Sequence, residues 1–215
     1  MRFADRVDAG RQLAAKLIDL RGEPGLVVLG IPRGGVVVGY EVALALGAPF
    51  DVALSRKIGE PENEELAIGA LAEDGSRILD EFLIAQLHVA PDYVDRATEQ
   101  QQREIERRAP LYRGSRPPLE ARGRVAVVVD DGVATGATMM VTLQALRAQG
   151  ARTLIAAAPV IAAETVNRLR GVADRIVYVD VPLFFASVGG FYDHFEQVTD
   201  AEVRELLADL AETRP

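Results

Sequence analysis

The sequence predicts an α/β chain, an open and mainly parallel twisted sheet flanked by helices. Three observations predict it. Apolar runs of strand length alternate with helix-length segments along most of the 215 residues. The run at 125–129, Val-Ala-Val-Val-Val, shows no apolar/polar alternation, as in a parallel strand covered on both faces. Glycine-rich or acidic segments directly follow two of these runs, and ligands in such sheets sit beyond the carboxyl ends of strands.

Taken in order, residues 5–20 place Val7, Leu13, Ala14 and Leu17 at helical spacing and read as an N-terminal helix. Residues 25–29 form a short apolar strand, and 36–46 a helix stopped near Gly47. Residues 51–57 read as one second strand, followed by a polar, acidic loop at 59–65. Residues 66–71 and 77–79 read as short strands around the turn Asp74-Gly75. Residues 81–113 are mostly helical with a break near Pro91. The dense charge of both signs at 95–108 fits a solvated helix face with i,i+4 pairs. After a Pro-Pro connector come strand 124–129, helix 136–149, strand 153–159, helix 163–170 and strand 175–180. An aromatic, glycine-containing loop with Phe184, Phe185, Phe191 and Tyr192 follows, and a helix from about Asp200 closes the chain. The expected organisation is a single domain over 1–215, with a helical insertion at about 80–123 and a small hood at about 181–215.

Composition narrows the function classes. A hydrophobic content of 49% allows a sizeable core. The absence of cysteine excludes a disulfide framework, a thiol nucleophile and a zinc-thiolate site. The net charge of -8 argues against a nucleic-acid-binding surface. Uncharged stretches such as 153–163 fall short of the ~20 apolar residues of a membrane span. Charges through Asp8 leave no visible signal peptide, so a cytoplasmic location is expected. His88 and His194 are isolated, Ser187 lacks a nucleophile elbow, and Asp130-Asp131-Gly132 lacks the Asp-x-Asp of aspartyl-phosphate chemistry.

The most informative segment is 125–138, where the apolar run ends in Asp130 and Asp131 and continues Gly-Val-Ala-Thr-Gly-Ala-Thr. Thr135, Gly136, Ala137 and Thr138 lie where the next helix begins, so free N–H groups and the positive end of the helix dipole point at an anion. Gly136 lets a phosphate approach the backbone closely. Ionised Asp130 and Asp131 only accept hydrogen bonds, which suits a cis-diol. A phosphate beside a cis-diol is a ribose 5-phosphate. A second candidate anion loop, Gly30-Ile-Pro-Arg33-Gly34-Gly35, joins glycine flexibility to a guanidinium fork. It fits neither the dinucleotide fingerprint, because of Pro32, nor the P-loop, because of Val36. Ser55-Arg56-Lys57-Ile-Gly59 places two cations at a strand end.

These segments resemble the type I phosphoribosyltransferases. The likeness is nearly complete over 125–138, and Gly30–Gly35 and Arg56-Lys57-Ile-Gly59 extend it over most of the chain, toward a bacterial group of stand-alone domains with no assigned nucleobase. The resemblance implies phosphoribosyl pyrophosphate as donor. It implies Asp130 and Asp131 on the ribose hydroxyls, and the loop 134–138 on the 5-phosphate. It puts Arg33, Gly34 and Gly35 on the pyrophosphate in a loop often carrying a cis peptide. Asp130, Asp131 and Arg33 are the expected catalytic residues. Arg56 and Lys57 would also face pyrophosphate, and Mg²⁺ would bridge the diol and pyrophosphate beside Asp130 and Asp131. The acidic loop would close as a lid. Phe191 and Tyr192 would stack the acceptor base, or else form a packed aromatic cluster. A homodimer is expected. Ala134 stands where oxopurine enzymes carry an acid, so hypoxanthine and guanine are expected to be poor acceptors. A base would then come from Glu60, Glu62, Glu64 or Glu65. The alternative is a regulator that senses phosphoribosyl pyrophosphate or a nucleotide without turnover.

Overall fold

A computed structural model describes residues 2–63 and 66–212, the side chains of 211 and 212 excepted. Helix α1 (Arg6–Lys16) passes through a 3-10 turn at Ile18–Leu20 into β1 (Leu26–Gly30) and α2 (Gly34–Leu46). Then come β2 (Phe50–Val52), β3 (Ser55–Gly59), β4 (Ala67–Ala72), β5 (Arg77–Leu79), α3 (Glu81–Gln86) and α4 (Pro91–Arg113). The chain continues through β6 (Val125–Val129), α5 (Ala137–Ala148), β7 (Thr153–Val160), α6 (Ala163–Leu169), β8 (Arg175–Asp180) and α7 (Asp200–Glu212). Local signals set the boundaries. Asp5 caps α1 by accepting from the Asp8 N–H at 2.8 Å. Gly47 ends α2 in the left-handed conformation at φ 63°. Pro91 opens α4 where its missing N–H costs nothing.

Five strands form an all-parallel sheet in the order β2-β1-β6-β7-β8. Its two faces bury alternate residues of the same strands. Val28, Val127, Val129, Ile155 and Ala157 pack into one core with α2 and α7. Val27, Leu29, Ala126, Val128 and Ala156 pack into the other with α5 and α6. That two-sided burial is why the strand at 125–129 shows no alternation. The order runs outward from β1 to β2 in one direction and from β6 to β8 in the other. The sheet therefore reverses between β1 and β6, and the loops leaving these neighbours emerge side by side.

The expected single strand at 51–57 is two strands in two sheets. β2 belongs to the parallel sheet, whereas β3 pairs antiparallel with β4, and β4 with β5. Burial changes across the junction from complete in β2 to partial in β3, where only Ser55 and Ile58 are buried. A continuous β-type sequence carries no mark of the sheet each half joins. The small sheet packs on α3 and α4 through Ile58, Ile68, Val89 and Val94. The expected 5–20 helix likewise ends early, at Lys16, and its last turn is 3-10. Among the described residues no helix is long and apolar enough to cross a membrane.

One buried ion pair fastens α4 to the sheet edge. Arg113 Nε donates to both Asp51 oxygens at 2.9 and 2.8 Å, Nη1 to Glu73 at 2.6 Å and Nη2 to the Val52 carbonyl at 2.7 Å. The Leu119 N–H adds a 3.0 Å bond to Asp51. Arg113 and Asp51 are each 6% exposed. Arg113→Ala would leave Asp51 buried and uncompensated, and the expected loss is about 3–5 kcal/mol in urea unfolding. A loss under about 1 kcal/mol would show that the pair does not fasten the helix.

Candidate active site

The carboxyl ends of β1 and β6 are in register, Gly30 opposite Val129, and the Ile31 N–H donates to the Val129 carbonyl at 2.8 Å. The loop after β1 then folds over the loop after β6. A Cβ on Gly34 would lie 1.8 Å from Asp131 Oδ2, and one on Gly35 would lie 2.6 Å from the Val129 carbonyl and 2.7 Å from Asp130 Cα. Only glycine permits this approach. It brings the Arg33 loop and the two acids together. Arg33 caps α2 through a cis Pro32–Arg33 peptide, with helical backbone angles and no side-chain cap bond.

The two acids differ. Asp131 Oδ2 accepts from Arg6 Nε at 2.8 Å, and both side chains are less than one-seventh exposed. Asp130 Oδ1 accepts from the neighbouring Asp131 N–H at 2.8 Å, and the Asp130 side chain bonds to that of Asp131. Burial pushes the Asp130 carboxyl well above the usual carboxylate range, and the Asp131 charge pushes it further. Burial also raises Asp131, against the opposing pull of Arg6. No cluster of three or more metal-ligating side chains occurs among the described residues. The acids therefore suit a cation that keeps water and ligand oxygens, as Mg²⁺ does, rather than an all-protein cage.

The loop after Asp131 leads into α5 and is held by α6. Gly136 precedes α5 at φ 78°, where a Cβ would meet Thr165 Cγ2 at 2.6 Å. Thr165 Oγ1 donates to the Ala134 carbonyl, and Arg168 Nη1 donates to the Thr135 carbonyl at 3.0 Å. Both carbonyls are thus engaged by α6 just before the start of α5. No side chain caps α5.

Several contributors went unread in the sequence. Arg6 stacks 3.8 Å above the Phe195 ring and donates to the Glu196 carbonyl at 2.8 Å. A cation in the first turn of α1 opposes the helix dipole, and that was the available signal of a tertiary carboxylate partner. Tyr192 corrects an expectation. It is 2% exposed, its ring contacts Phe3 and Phe195 at 5.4 and 4.9 Å, and its hydroxyl donates to the Asp131 carbonyl. No ring face is left to stack a base, so Tyr192 positions Asp131. The packed-cluster reading holds for it. Phe191 is half-buried against Phe185 at 5.1 Å. Phe184, after β8, is 80% exposed and follows Leu183 at 108%.

Arg56 and Lys57 lie on β3, and Arg56 Nε donates to Gln101 of α4 at 3.0 Å. Glu60 and Glu62 are half-buried and exposed in the acidic loop, whereas Glu64 and Glu65 lie outside the described residues. A separate cavity of about 450 Å³ beside Arg113, Leu119 and α5 includes none of the loop residues 30–35 or 130–138.

The family model described as phosphoribosyl transferase domain matches residues 3–196. A protein of Mycobacterium tuberculosis provisionally named a phosphoribosyl transferase is 45% identical over 205 residues. That match covers 95% of this chain and 46% of the relative, so the chain spans about half the relative's length. The crystal structure of TT1426 from Thermus thermophilus is 43% identical, with a TM-score of 0.83 over 98% of this chain and 99% of that one. AQ2163 from Aquifex aeolicus, at 14% identity and a TM-score of 0.50 over 82% of this chain and 72% of that one, shares the fold.

The raised Asp130 has a stability consequence with a definite sign. Its folded carboxyl holds the proton more tightly than the unfolded one. The contribution of Asp130 to stability is therefore fully present below the unfolded value of about 3.9 and is lost as pH rises from there through the raised folded value. Asp130→Asn keeps the oxygen that accepts from Asp131 and removes the buried charge. The variant is expected to be more stable than the parent at pH 8, with the difference shrinking toward pH 4. Chemical unfolding at both pH values checks this, and a variant less stable at pH 8 would contradict it.

Proposed function

The chain belongs to the phosphoribosyl transferase domain family, and on that premise we propose that it transfers phosphoribose from phosphoribosyl pyrophosphate to a nitrogenous acceptor, releasing pyrophosphate. The observation that carries this reading is the apposition of Gly34 and Gly35 with Asp130 and Asp131. It supports one ligand with a 5-phosphate at the first turn of α5, hydroxyls at Asp130 and a second anionic group at the Arg33 loop.

In this reading each residue has a bounded task. The amides of 135–138, with the hydroxyls of Thr135 and Thr138, hold the 5-phosphate. Asp130 accepts from the ribose hydroxyls. Asp131, fixed by Arg6, sets the position and charge of its neighbour. Arg33, with Arg56 and Lys57, stabilises negative charge as the bond from C1 to pyrophosphate breaks through an oxocarbenium-like state. A bound Mg²⁺ would supply further charge neutralisation on the leaving group, held by Asp130 and by ligand oxygens. Phe184 replaces Tyr192 as the surface offered to a planar acceptor, with residues 181–215 as its hood. Ala134 supplies no carboxylate to the acceptor nitrogen, and general acid–base help of that kind is worth roughly 10²–10⁴ in rate. Hypoxanthine and guanine are therefore expected to be poor acceptors, and a carboxylate on a closing lid, such as Glu60 or Glu62, would serve proton transfer for another acceptor.

Two measurements test the reading. Thr135→Val and Thr138→Val are each expected to weaken ribose 5-phosphate binding by about 1.5–3 kcal/mol and to leave inorganic pyrophosphate unaffected. Arg33→Ala is expected to show the reverse. Equal effects on both ligands would mean that the two anion sites are misassigned. Pyrophosphate release with adenine, hypoxanthine, guanine, xanthine, uracil and orotate then tests turnover. Tight donor binding with no release for any acceptor would favour the sensing regulator.

A further inference from the structure

Strand β3 and helix α4 enclose a cleft of about 320 Å³ lined by Arg56, Gln100, Gln101, Arg103, Glu104 and Arg107. Its charges are unbalanced. Arg107 donates to both Glu104 oxygens at 2.9 and 3.0 Å, and Arg108 donates to the same carboxylate at 2.6 Å. One acid thus serves two guanidiniums. Arg56 donates to the Gln101 amide and makes no ion pair with a carboxylate among the described residues. Its guanidinium is half-buried, and burial, then the charge of Arg108, works against its ionised form. Arg103 bonds the exposed Glu99 at 3.4 Å, a weak surface pair that can be exchanged for another anion. Solvated i,i+4 pairing accounts for Glu99–Arg103 and Glu104–Arg108. It does not account for a partly buried arginine left to an amide at the bottom of the same cleft.

We propose that this cleft is an anion subsite that takes a diphosphate group, with Arg56 and Arg107 as its fork donors and Arg103 at its rim. Planar guanidiniums match phosphate oxygens two at a time, and a diphosphate answers a surplus of positive charge better than a single phosphate. The cleft includes Arg56, one of the residues that the donor reading sets against pyrophosphate. Resting on the donor reading above, the natural occupant is the leaving pyrophosphate, with α4 as a second wall of its site.

Calorimetry on the full chain with inorganic pyrophosphate, and separately with ribose 5-phosphate, tests this. Arg107→Ala, and Arg103→Ala with Arg107→Ala, alter exposed side chains and are expected to fold as the parent does by circular dichroism. The double variant is expected to raise the pyrophosphate Kd roughly tenfold or more, the loss typical of charge-assisted hydrogen bonds, with ribose 5-phosphate affinity unchanged. Arg107→Lys, which keeps the charge and loses the fork, is expected to fall between. An unchanged pyrophosphate Kd in the double variant, or equal weakening of both ligands, would overturn the subsite. A parent that binds ribose 5-phosphate but not pyrophosphate would overturn it while leaving the ribose half of the donor reading intact. Pyrophosphate binding lost with the α4 arginines, in a parent blind to ribose 5-phosphate, would support the subsite and refute the donor.

Discussion

The candidate site depends on one close approach, the backbone of Gly34 and Gly35 against Asp130 and Asp131. Parallel pairing of β1 with β6 in register brings the two loop exits together, and the reversal of strand order leaves the crevice between them open. Pairing alone would leave the loops adjacent but apart. Two consecutive residues without a Cβ let the first loop settle onto the acids, so that α2 and α5 begin on either side of the same carboxylates. Both helices direct their free N–H groups to the same end of the sheet. The site's chemistry, anion donors flanking a buried acceptor pair, follows from that geometry.

Placing carboxylates there has a cost that the surroundings offset in part. Asp131 is neutralised by Arg6, which the N-terminal segment carries in, and Tyr192 braces its carbonyl. Asp130 makes no direct ion pair among the described residues, and burial outweighs the distant pull of Arg6 to leave its charge unfavourable in the free protein. Under the proposed function, that charge serves a ligand rather than the fold. Arg113 and Asp51 form the contrasting case. They are more deeply buried and fully paired, and they serve attachment of α4 to the sheet edge.

Much of this was legible in the sequence, for reasons that differ by element. The unalternating run at 125–129 reported a strand buried on both faces because nothing but a parallel sheet requires it. Gly47 and Pro91 marked helix ends through backbone chemistry that acts locally. Placement of Asp130 and of loop 134–138 at a strand-to-helix junction followed from the same local rules. What stayed hidden depends on contacts distant in sequence. The break between β2 and β3 is a choice of sheet partner. Arg6 reaches Asp131 across 125 positions, and Tyr192 was open to two readings until its ring was seen packed between Phe3 and Phe195. The asymmetry of the two acids, one paired and one not, could not be read from adjacent identical residues.

The most direct test of the central claim, that the β1 and β6 loops form one donor site, is a crystal structure of the protein with phosphoribosyl pyrophosphate. The account predicts the 5-phosphate on the amides of 135–138, the ribose hydroxyls within hydrogen-bond distance of Asp130, and the pyrophosphate against Arg33 and Gly34. A ligand whose phosphates lie elsewhere, for example in the cavity beside Arg113, would contradict it.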